Sequence, residues 1–209
     1  GKTRRPLVSG GNLTLETKEE IRMELQKLGK IKTREVEVKL PSTILEERFE
    51  DLGVSSKQIK QLKLRVGEAS AGESLEKTFV YLLAGPKDSP VGYAWSRALA
   101  NPKSGYEALT AIVEPNLAVK PITLIVPAVE IQSMRQASIV YGPVQSAVGK
   151  AVSDTVEEKG IPTKAVHDHA VIVRVFVHPE ALNRQLLYAN TYDAVKMALL
   201  RAFGFWRKE

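Results

Sequence analysis

Ala170-Val-Ile-Val-Arg-Val-Phe-Val177 is the longest apolar stretch in the sequence, and only Arg174 interrupts it. Because apolar side chains stand on both faces of this stretch, we predict a strand in the interior of a sheet. Residues 78–84 and 122–126 are further apolar runs of strand length, and residues 179–203 have the pattern of a closing helix. These runs predict a sheet that has residues 170–177 as a central strand.

Helices are predicted between these strands. Ser89 followed by Pro90 suits a helix start, and Asn101-Pro102 suits the end of a helix over residues 91–100. Residues 133–158 are helical in pattern, and the Gly142-Pro143 pair within them is expected to kink or break the helix. Residues 108–113 read as another strand. Strands and helices mix without a strict β-α-β alternation, so we predict an α+β fold.

The first 65 residues have shorter elements. Thr17 and Glu20 are predicted to form a capping box, and residues 36–40 alternate in a pattern that predicts a half-buried strand. A short helix is predicted to carry Phe49 and Leu52 on one side. Ser55-Ser-Lys-Gln58 suits a second helix cap, and the alternation of residues 62–66 predicts a strand. We therefore predict a small α+β appendage over residues 1–65 and a main domain over residues 66–209.

The charge of the chain is uneven. Residues 1–65 carry most of the net charge of +6, because they contain 15 Lys and Arg against 10 Asp and Glu. This excess could serve a polyanionic or protein partner, or it could be a solvated surface on which both signs are mixed. Phe49 is the only aromatic residue of the appendage, so the appendage lacks a stacking platform for single-stranded nucleic acid.

Several kinds of chemistry find no support in the sequence. The chain has no cysteine, which excludes disulfides, thiolate metal sites and cysteine nucleophiles, and which suits a cytoplasmic protein. Its three histidines, at 167, 169 and 178, do not make a four-ligand zinc site, and no metal is predicted. No apolar stretch is long enough to cross a bilayer, and neither a phosphate-binding glycine loop nor a GxSxG elbow is present.

A series of short motifs in fixed order nevertheless has a parallel in a known family. The motifs run from residue 66 to about residue 203 with almost no gaps, and they include Val66-Gly-Glu-Ala69, Gly85-Pro86 with Ser89-Pro90, Pro115-Asn-Leu117 with Lys120-Pro121, Arg135-Gln-Ala137, Tyr141-Gly-Pro143 with Gln145, Val175-Phe-Val-His178, and Tyr192 with Ala194 and Lys196. In these segments the chain resembles the formaldehyde-activating enzyme family. The resemblance implies that residues 66–209 form a formaldehyde-activating-enzyme-like domain.

The resemblance implies a fold and a reaction. The fold would be an α+β core similar to the second domain of ribosomal protein S5, assembled as a homopentamer with active sites between subunits. The reaction would condense formaldehyde with tetrahydromethanopterin, and a histidine would act as the general acid that helps a hydroxyl group to leave. Such an acid needs a pKa near neutrality.

The functional positions of the family are mostly changed in this chain. The histidine position is Phe79, which can neither donate nor accept a proton, and an aspartate position is Tyr81. A pocket leucine, a pterin-contacting lysine and a threonine correspond to Thr110, Ala128 and Glu130, while the glutamine is kept as Gln145. We therefore predict no catalytic residue of the family type, and we take Tyr81, Thr110, Glu130 and Gln145 as candidate ligand-binding residues.

Three functions remain open at this point. The first is a scaffold or interaction subunit without formaldehyde-condensing activity and without a required cofactor, with residues 1–65 serving a new partner. The second is an enzyme or carrier-binding protein of one-carbon metabolism that uses a reduced pterin or folate and is similar to a carbon–nitrogen lyase. In that case Tyr81 or Glu130 would replace the lost general acid after a large pKa shift. The third is a nucleic-acid- or ribosome-associated protein that binds through its basic segment.

Overall fold

The computed structural model describes residues 48–204 of the chain. Two short 3₁₀ turns, Glu50–Leu52 and Ser74–Glu76, accompany six helices and seven strands within that range. The helices are α1 (Ser56–Gln61), α2 (Pro90–Ala100), α3 (Met134–Ile139), α4 (Gln145–Glu157), α5 (Thr163–Asp168) and α6 (Arg184–Ala202). The strands are β1 (Arg65–Ala71), β2 (Thr78–Pro86), β3 (Leu109–Thr110), β4 (Ile112–Glu114), β5 (Leu117–Ala118), β6 (Ile122–Pro127) and β7 (His169–Phe176).

Five of these strands form one sheet in the order β1-β2-β7-β6-β3. β7 lies in the middle of the sheet, antiparallel to β2 and parallel to β6, while β1 and β3 are antiparallel edge strands. The central position of β7 agrees with its apolar residues on both faces. β4 and β5 form a separate hairpin. The α+β fold predicted from the sequence is confirmed.

Helices α4 and α6 cover one face of the sheet, called here the first face. Alternate residues of the central strands, such as Leu82 of β2 and Val173 of β7, are fully buried against these helices. At the edge, α6 approaches β1 so closely that a Cβ atom on Gly67 would lie 2.1 Å from the carbonyl oxygen of Ala198. The glycine in Val66-Gly-Glu-Ala69 therefore has a packing role, since any side chain there would clash with helix backbone.

Helix α2 and residues 49–64 cover the opposite face, called here the second face. Phe49 and Val54 are fully buried in one apolar cluster with Leu83 of β2 and Ile172 of β7. At the start of α1, the Ser55 side chain accepts a hydrogen bond from the Gln58 backbone N–H, and the Gln58 side chain accepts one from the Ser55 N–H. The capping box expected at these residues is confirmed.

The segment that precedes β1 is therefore part of the same hydrophobic core as the sheet. The boundary between residues 65 and 66 stays a prediction. In the structure, residues 49–64 pack in the same cluster as the sheet of the main domain. The capping box at Thr17 and the strand at residues 36–40 lie outside the described residues. The strand predicted from residue 62 begins only at Arg65, because Leu62 still caps α1 and Lys63 has a left-handed backbone with φ of 50°.

Other element boundaries also differ from the sequence-based expectation. The helix over residues 133–158 does not break at Gly142-Pro143; it passes from α3 to α4 through a π-helical turn, Val140–Val144, which widens the backbone around the proline. Helix α6 begins at Arg184 instead of residue 179, because the Asn183 side chain accepts a hydrogen bond from the Leu186 N–H and fixes the start there. The strand predicted at residues 108–113 is split into β3 and β4 at Ala111. No helix within residues 48–204 has the length and apolar character needed to cross a lipid bilayer.

Asp154 links the two helices of the first face. Its carboxylate accepts hydrogen bonds from the Lys150 ammonium group of α4 and from the Tyr192 hydroxyl of α6, the latter at 2.6 Å. The hydrogen bond from Lys150, followed by that from Tyr192, holds the pKa of Asp154 below its ordinary value. A carboxylate with a depressed pKa stabilises the folded state above its unfolded-state pKa, and this stabilisation is lost as the pH falls through the folded-state pKa.

Replacement of Asp154 by asparagine is expected to lower the free energy of unfolding at pH 7 by about 1 kcal/mol. The difference from the unmodified protein should shrink below about pH 4, where the carboxylate loses its charge in the unfolded chain and then in the folded one. Urea denaturation over a series of pH values measures this, with Glu157→Gln, an exposed carboxylate on the same helix, as control. A difference that is constant from pH 7 to pH 3 would contradict the assignment.

Candidate functional site

Phe79 stands on the second face at the start of β2, where the family resemblance implies a histidine. Its side chain is buried, and it pairs across the strands with Phe176 of β7. The two rings meet edge to face, with centroids 5.9 Å apart and an angle of 72° between the planes. Ala128 and Val129, which follow β6, pack on the same pair. The position is therefore filled by an apolar cluster, called here the aromatic cluster, formed by Phe79, Phe176, Tyr81, Ala128 and Val129.

Tyr81 lies two residues further along β2, between two charged residues. In the strand register it stands opposite Glu68 of β1 on one side and Arg174 of β7 on the other. The Arg48 guanidinium lies 4.9 Å from the centre of the Tyr81 ring, in the geometry of a cation–π contact. Burial raises the pKa of the Tyr81 hydroxyl, with Arg48 opposing the rise and Glu68 adding to it. A substitute general acid would need a lowered pKa, and the environment of Tyr81 acts in the opposite direction.

Arg174 is the single charge in the apolar stretch that defines the central strand, and its contacts explain why it is there. Its Nη1 donates to the Arg48 carbonyl oxygen at 2.7 Å, and its Nη2 pairs with an Asp51 carboxylate oxygen at 2.7 Å. The side chain is only 12% exposed. Arg174 thereby fastens the residues that precede α1 to the second face. The interruption of the apolar run was the only sign in the sequence that this residue has a specific partner.

The remaining candidate residues do not join this cluster within one chain. Thr110 lies on edge strand β3, paired with Leu124. Glu130 is exposed, and its carboxylate accepts a hydrogen bond from the Gln132 side chain at 3.1 Å. Gln145 begins α4, where its amide donates to the Ile112 carbonyl oxygen at 3.5 Å. The structure thus brings together Phe79, Tyr81 and the alanine at position 128, and it leaves the other three positions apart.

Two of the three histidines, His169 and His178, have local side-chain partners. The Nδ1 atom of His178 accepts a hydrogen bond from the Glu180 backbone N–H at 3.0 Å in the turn that leads to α6. His169 is paired with the neighbouring Asp168 carboxylate and lies near the Phe203 ring. Within residues 48–204, no group of three or more histidine, aspartate or glutamate side chains is placed to hold a metal ion.

A cleft of about 640 Å³ opens beside the aromatic cluster on the second face. Its walls are the chain before α1, the C-terminal half of α2, the loop over residues 101–108 and the end of β6. Four basic and two acidic residues line it, namely Arg48, Arg97, Lys103, Arg174, Glu50 and Asp51. The volume lies in the range of small-molecule sites in proteins. Sequence reasoning missed this cleft, because its charged residues come from four separate segments.

The mixed five-stranded sheet carries helices α4 and α6 on one face and the aromatic cluster on the other, and it defines an α+β domain. Residues 66–205 of this domain match the formaldehyde-activating enzyme (Fae) family. That match covers more than half of the chain, and the chain belongs to the formaldehyde-activating enzyme family. The resemblance stated from the motifs is confirmed.

Several curated proteins are similar to this chain over the same region. The "Bifunctional enzyme Fae/Hps" of Archaeoglobus fulgidus is 45% identical over 141 residues, which are 68% of this chain and 36% of that protein. The proteins of the same name from Methanothrix thermoacetophila and Methanocella arvoryzae are 44% and 45% identical, over 67% and 66% of this chain. The chain spans about a third of the length of these relatives.

Proposed function

We propose that this protein is a divergent member of the formaldehyde-activating enzyme family that does not condense formaldehyde and acts as an oligomeric scaffold or interaction subunit in the cytoplasm. The observation that carries the proposal is the burial of Phe79 against Phe176 at the position of the family histidine. A ring held edge to face in an apolar cluster leaves neither a proton donor nor space for a reacting group.

The neighbouring side chains support this proposal. The pKa of Tyr81 is raised, so its hydroxyl holds its proton more firmly than an ordinary tyrosine. Glu130 is exposed and hydrogen-bonded to Gln132, outside the aromatic cluster. Where the resemblance implies a lysine that contacts a pterin, Ala128 presents a methyl group to Phe79 and Phe176. These residues do not fit a pterin bound in the manner of the family.

The scaffold part of the proposal is tested by native mass spectrometry of the full chain. We expect an assembly with a mass that is an integral multiple of the 23.0 kDa chain, and a pentamer if the family's assembly is retained. A second arm measures whether the assembly accelerates the condensation of formaldehyde with tetrahydromethanopterin, and we expect no acceleration. A monomer at micromolar concentration would contradict the scaffold role while leaving the second arm unaffected.

The cleft beside Ala128 favours an alternative function. An enzyme or carrier-binding protein of one-carbon metabolism, similar to a carbon–nitrogen lyase, would bind a tetrahydromethanopterin- or folate-type molecule in this 640 Å³ space. Binding to the folded state alone raises the melting temperature. A panel of tetrahydropterins and tetrahydrofolates that leaves the melting temperature unchanged would count against this alternative.

The charge of the N-terminal residues favours a second alternative, a nucleic-acid- or ribosome-associated role. Residues 1–65 carry an excess of positive charge. Phe49 is fully buried in the core of the domain, so the one aromatic ring of this segment is not available for base stacking. Binding would then depend on phosphate contacts and should weaken steeply with added salt, which a filter-binding titration over ionic strength measures.

A further inference from the structure

The basic side chains of the cleft differ in whether a carboxylate forms an ion pair with them. Arg174 pairs with Asp51 at 2.7 Å, and Glu50 accepts a hydrogen bond from the Ser56 hydroxyl at 3.1 Å, so both carboxylates of the cleft have local partners. Within residues 48–204, no carboxylate forms an ion pair with Arg97 or Lys103, and both side chains are exposed. The cleft therefore holds two cations that are available to a ligand.

The backbone holds Arg97 at the wall of the cleft. Its Nη2 donates to the Leu52 carbonyl oxygen at 3.3 Å. A Cβ atom on Gly53, where φ is 84°, would lie 1.9 Å from the same nitrogen, so a side chain there would displace the guanidinium from this position. A guanidinium fixed in this way retains further N–H groups for an anion, because it carries five donors in a rigid plane. Arg97 is thus positioned before any ligand binds.

Arg174 lines the same cleft, but its N–H groups are already engaged or enclosed. Two of its terminal N–H groups are engaged with Asp51 and with the Arg48 carbonyl oxygen, whereas its Nε is buried without a hydrogen-bond partner. The Nε atom is therefore closed to a ligand, and Asp51 neutralises the Arg174 charge, so an anion in the cleft would be bound by Arg97 and Lys103.

The other walls of the cleft suit an organic body attached to the anion. Ala94 and Ala98 of α2 and Val126 of β6 present small apolar surfaces. The Lys103 ammonium group lies 4.6 Å from the centre of the Tyr106 ring, so a cation and an aromatic face stand together at one side. A ligand with a compact dianionic group and a flat or apolar body would match both kinds of wall.

From this arrangement we infer that the cleft binds a small organic phosphate, with Arg97 and Lys103 on the phosphate group. A phosphate is the better match than a carboxylate, because a dianion with several acceptor oxygens can engage two separate cations. One wall of the cleft, formed by Arg48, Glu50, Asp51 and Gly53, precedes residue 66, where the family match begins, whereas Arg97 and Lys103 lie within the match. The inference does not depend on the loss of formaldehyde condensation.

Isothermal titration calorimetry of the full chain at low ionic strength tests the inference. The probes are adenosine monophosphate, ribose 5-phosphate and phenyl phosphate, with adenosine, ribose and benzoate as the matched molecules that lack a phosphate. We expect at least one phosphate ester to bind with a Kd of about 100 µM or tighter, and its matched molecule to bind at least about tenfold more weakly.

Variants then assign the binding to the cleft. Lys103→Gln and Arg97→Gln are each expected to weaken binding by about tenfold or more, because each removes a charged hydrogen bond to the phosphate. Lys164→Gln is the control, since it removes an equal charge from the exposed side of α5, away from the cleft. Within residues 48–204, the contact recorded for the Lys103 side chain is with the Tyr106 ring, so its variant should keep the melting temperature even if Arg97→Gln loses stability.

The inference is overturned if none of the three esters binds with a Kd below about 1 mM. Equal affinities of the unmodified protein and the Lys103→Gln variant would also overturn it, and so would benzoate that binds as tightly as phenyl phosphate. A loss of affinity in both cleft variants, with no change in Lys164→Gln, is the result that supports it.

Discussion

Replacement of Phe49 by alanine is expected to lower the free energy of unfolding by about 3–5 kcal/mol. Phe49 is fully buried, and it packs in one cluster with Leu83 and Ile172 of the central strands. Removal of its ring would leave a cavity at the centre of the second face, which the backbone held by Arg174 and Arg97 cannot close. Urea denaturation monitored by circular dichroism measures the change.

Leu62→Ala is the matched control for this experiment. Leu62 belongs to the same segment and is also a large apolar residue, but it is 54% exposed. Its replacement is expected to change the free energy of unfolding by no more than about 0.5 kcal/mol. If Phe49→Ala costs less than about 1 kcal/mol, residues 49–64 do not form part of the folded core, and the account of the second face is wrong.

Replacement of Phe79 by histidine is expected to destabilise the protein by about 3 kcal/mol at pH 7 without creating formaldehyde-condensing activity. The imidazole would lose apolar contact with Phe176 and would bring two nitrogen atoms into the aromatic cluster. Lys77 lies 5.6 Å from the centre of the Phe79 ring, and both burial and this cation would lower the pKa of the new histidine. A histidine with a lowered pKa in the folded state makes the protein less stable as the pH falls below about 6.5, where the unfolded chain takes up the proton.

Phe79→Leu provides the comparison for this variant. Leucine keeps an apolar side chain in the cluster, and the loss of stability should be smaller and independent of pH between 5 and 8. Thermal melts over that range distinguish the two variants. Condensing activity in Phe79→His would show that Tyr81 and Ala128 do not prevent catalysis, and it would contradict the proposal that several changed positions together exclude the reaction of the family.

Local patterns in the sequence predicted the elements of the fold well. The apolar residues on both faces of residues 170–177 identified the central strand, because burial of both faces leaves a signature in composition alone. The serines at 55 and 89 identified two helix starts, since each side chain satisfies a nearby backbone N–H. The π-helical turn at Gly142-Pro143 was not predicted, because a proline indicates only that the ordinary helical hydrogen bond is lost.

The packing of residues 49–64 on the sheet could not be predicted from local patterns. Arg174 bonds to Arg48 and Asp51 across more than 120 positions of the sequence. Such a contact appears in the sequence only as a charge in an apolar run and as acids and bases in a distant segment. The division of the chain at residue 65 followed composition, which changes there, whereas the hydrophobic core continues across the boundary.

For the candidate site, the sequence predicts which positions differ from the functional residues of the family, and this stays a prediction; it gives no indication of what surrounds those positions. The choice of Phe79 rests on the motif alone, whereas its burial depends on the register that places Phe176 beside it. The cleft needed the fold as well, because Arg97, Lys103 and Arg174 belong to a helix, a loop and a strand that meet only in three dimensions. The family resemblance assigns Thr110, Glu130 and Gln145 to one binding site, whereas these three residues lie apart within one chain.

The central claim is that the family's proton donor has been replaced by a closed aromatic cluster. The most direct test is the rate of tetrahydromethanopterin-dependent formaldehyde consumption by the purified full chain, measured against buffer and against a family member with the histidine. The account predicts a rate equal to that of buffer at every protein concentration and at every pH between 6 and 9. A rate that rises in proportion to the protein concentration and falls in the Tyr81→Phe variant would contradict it.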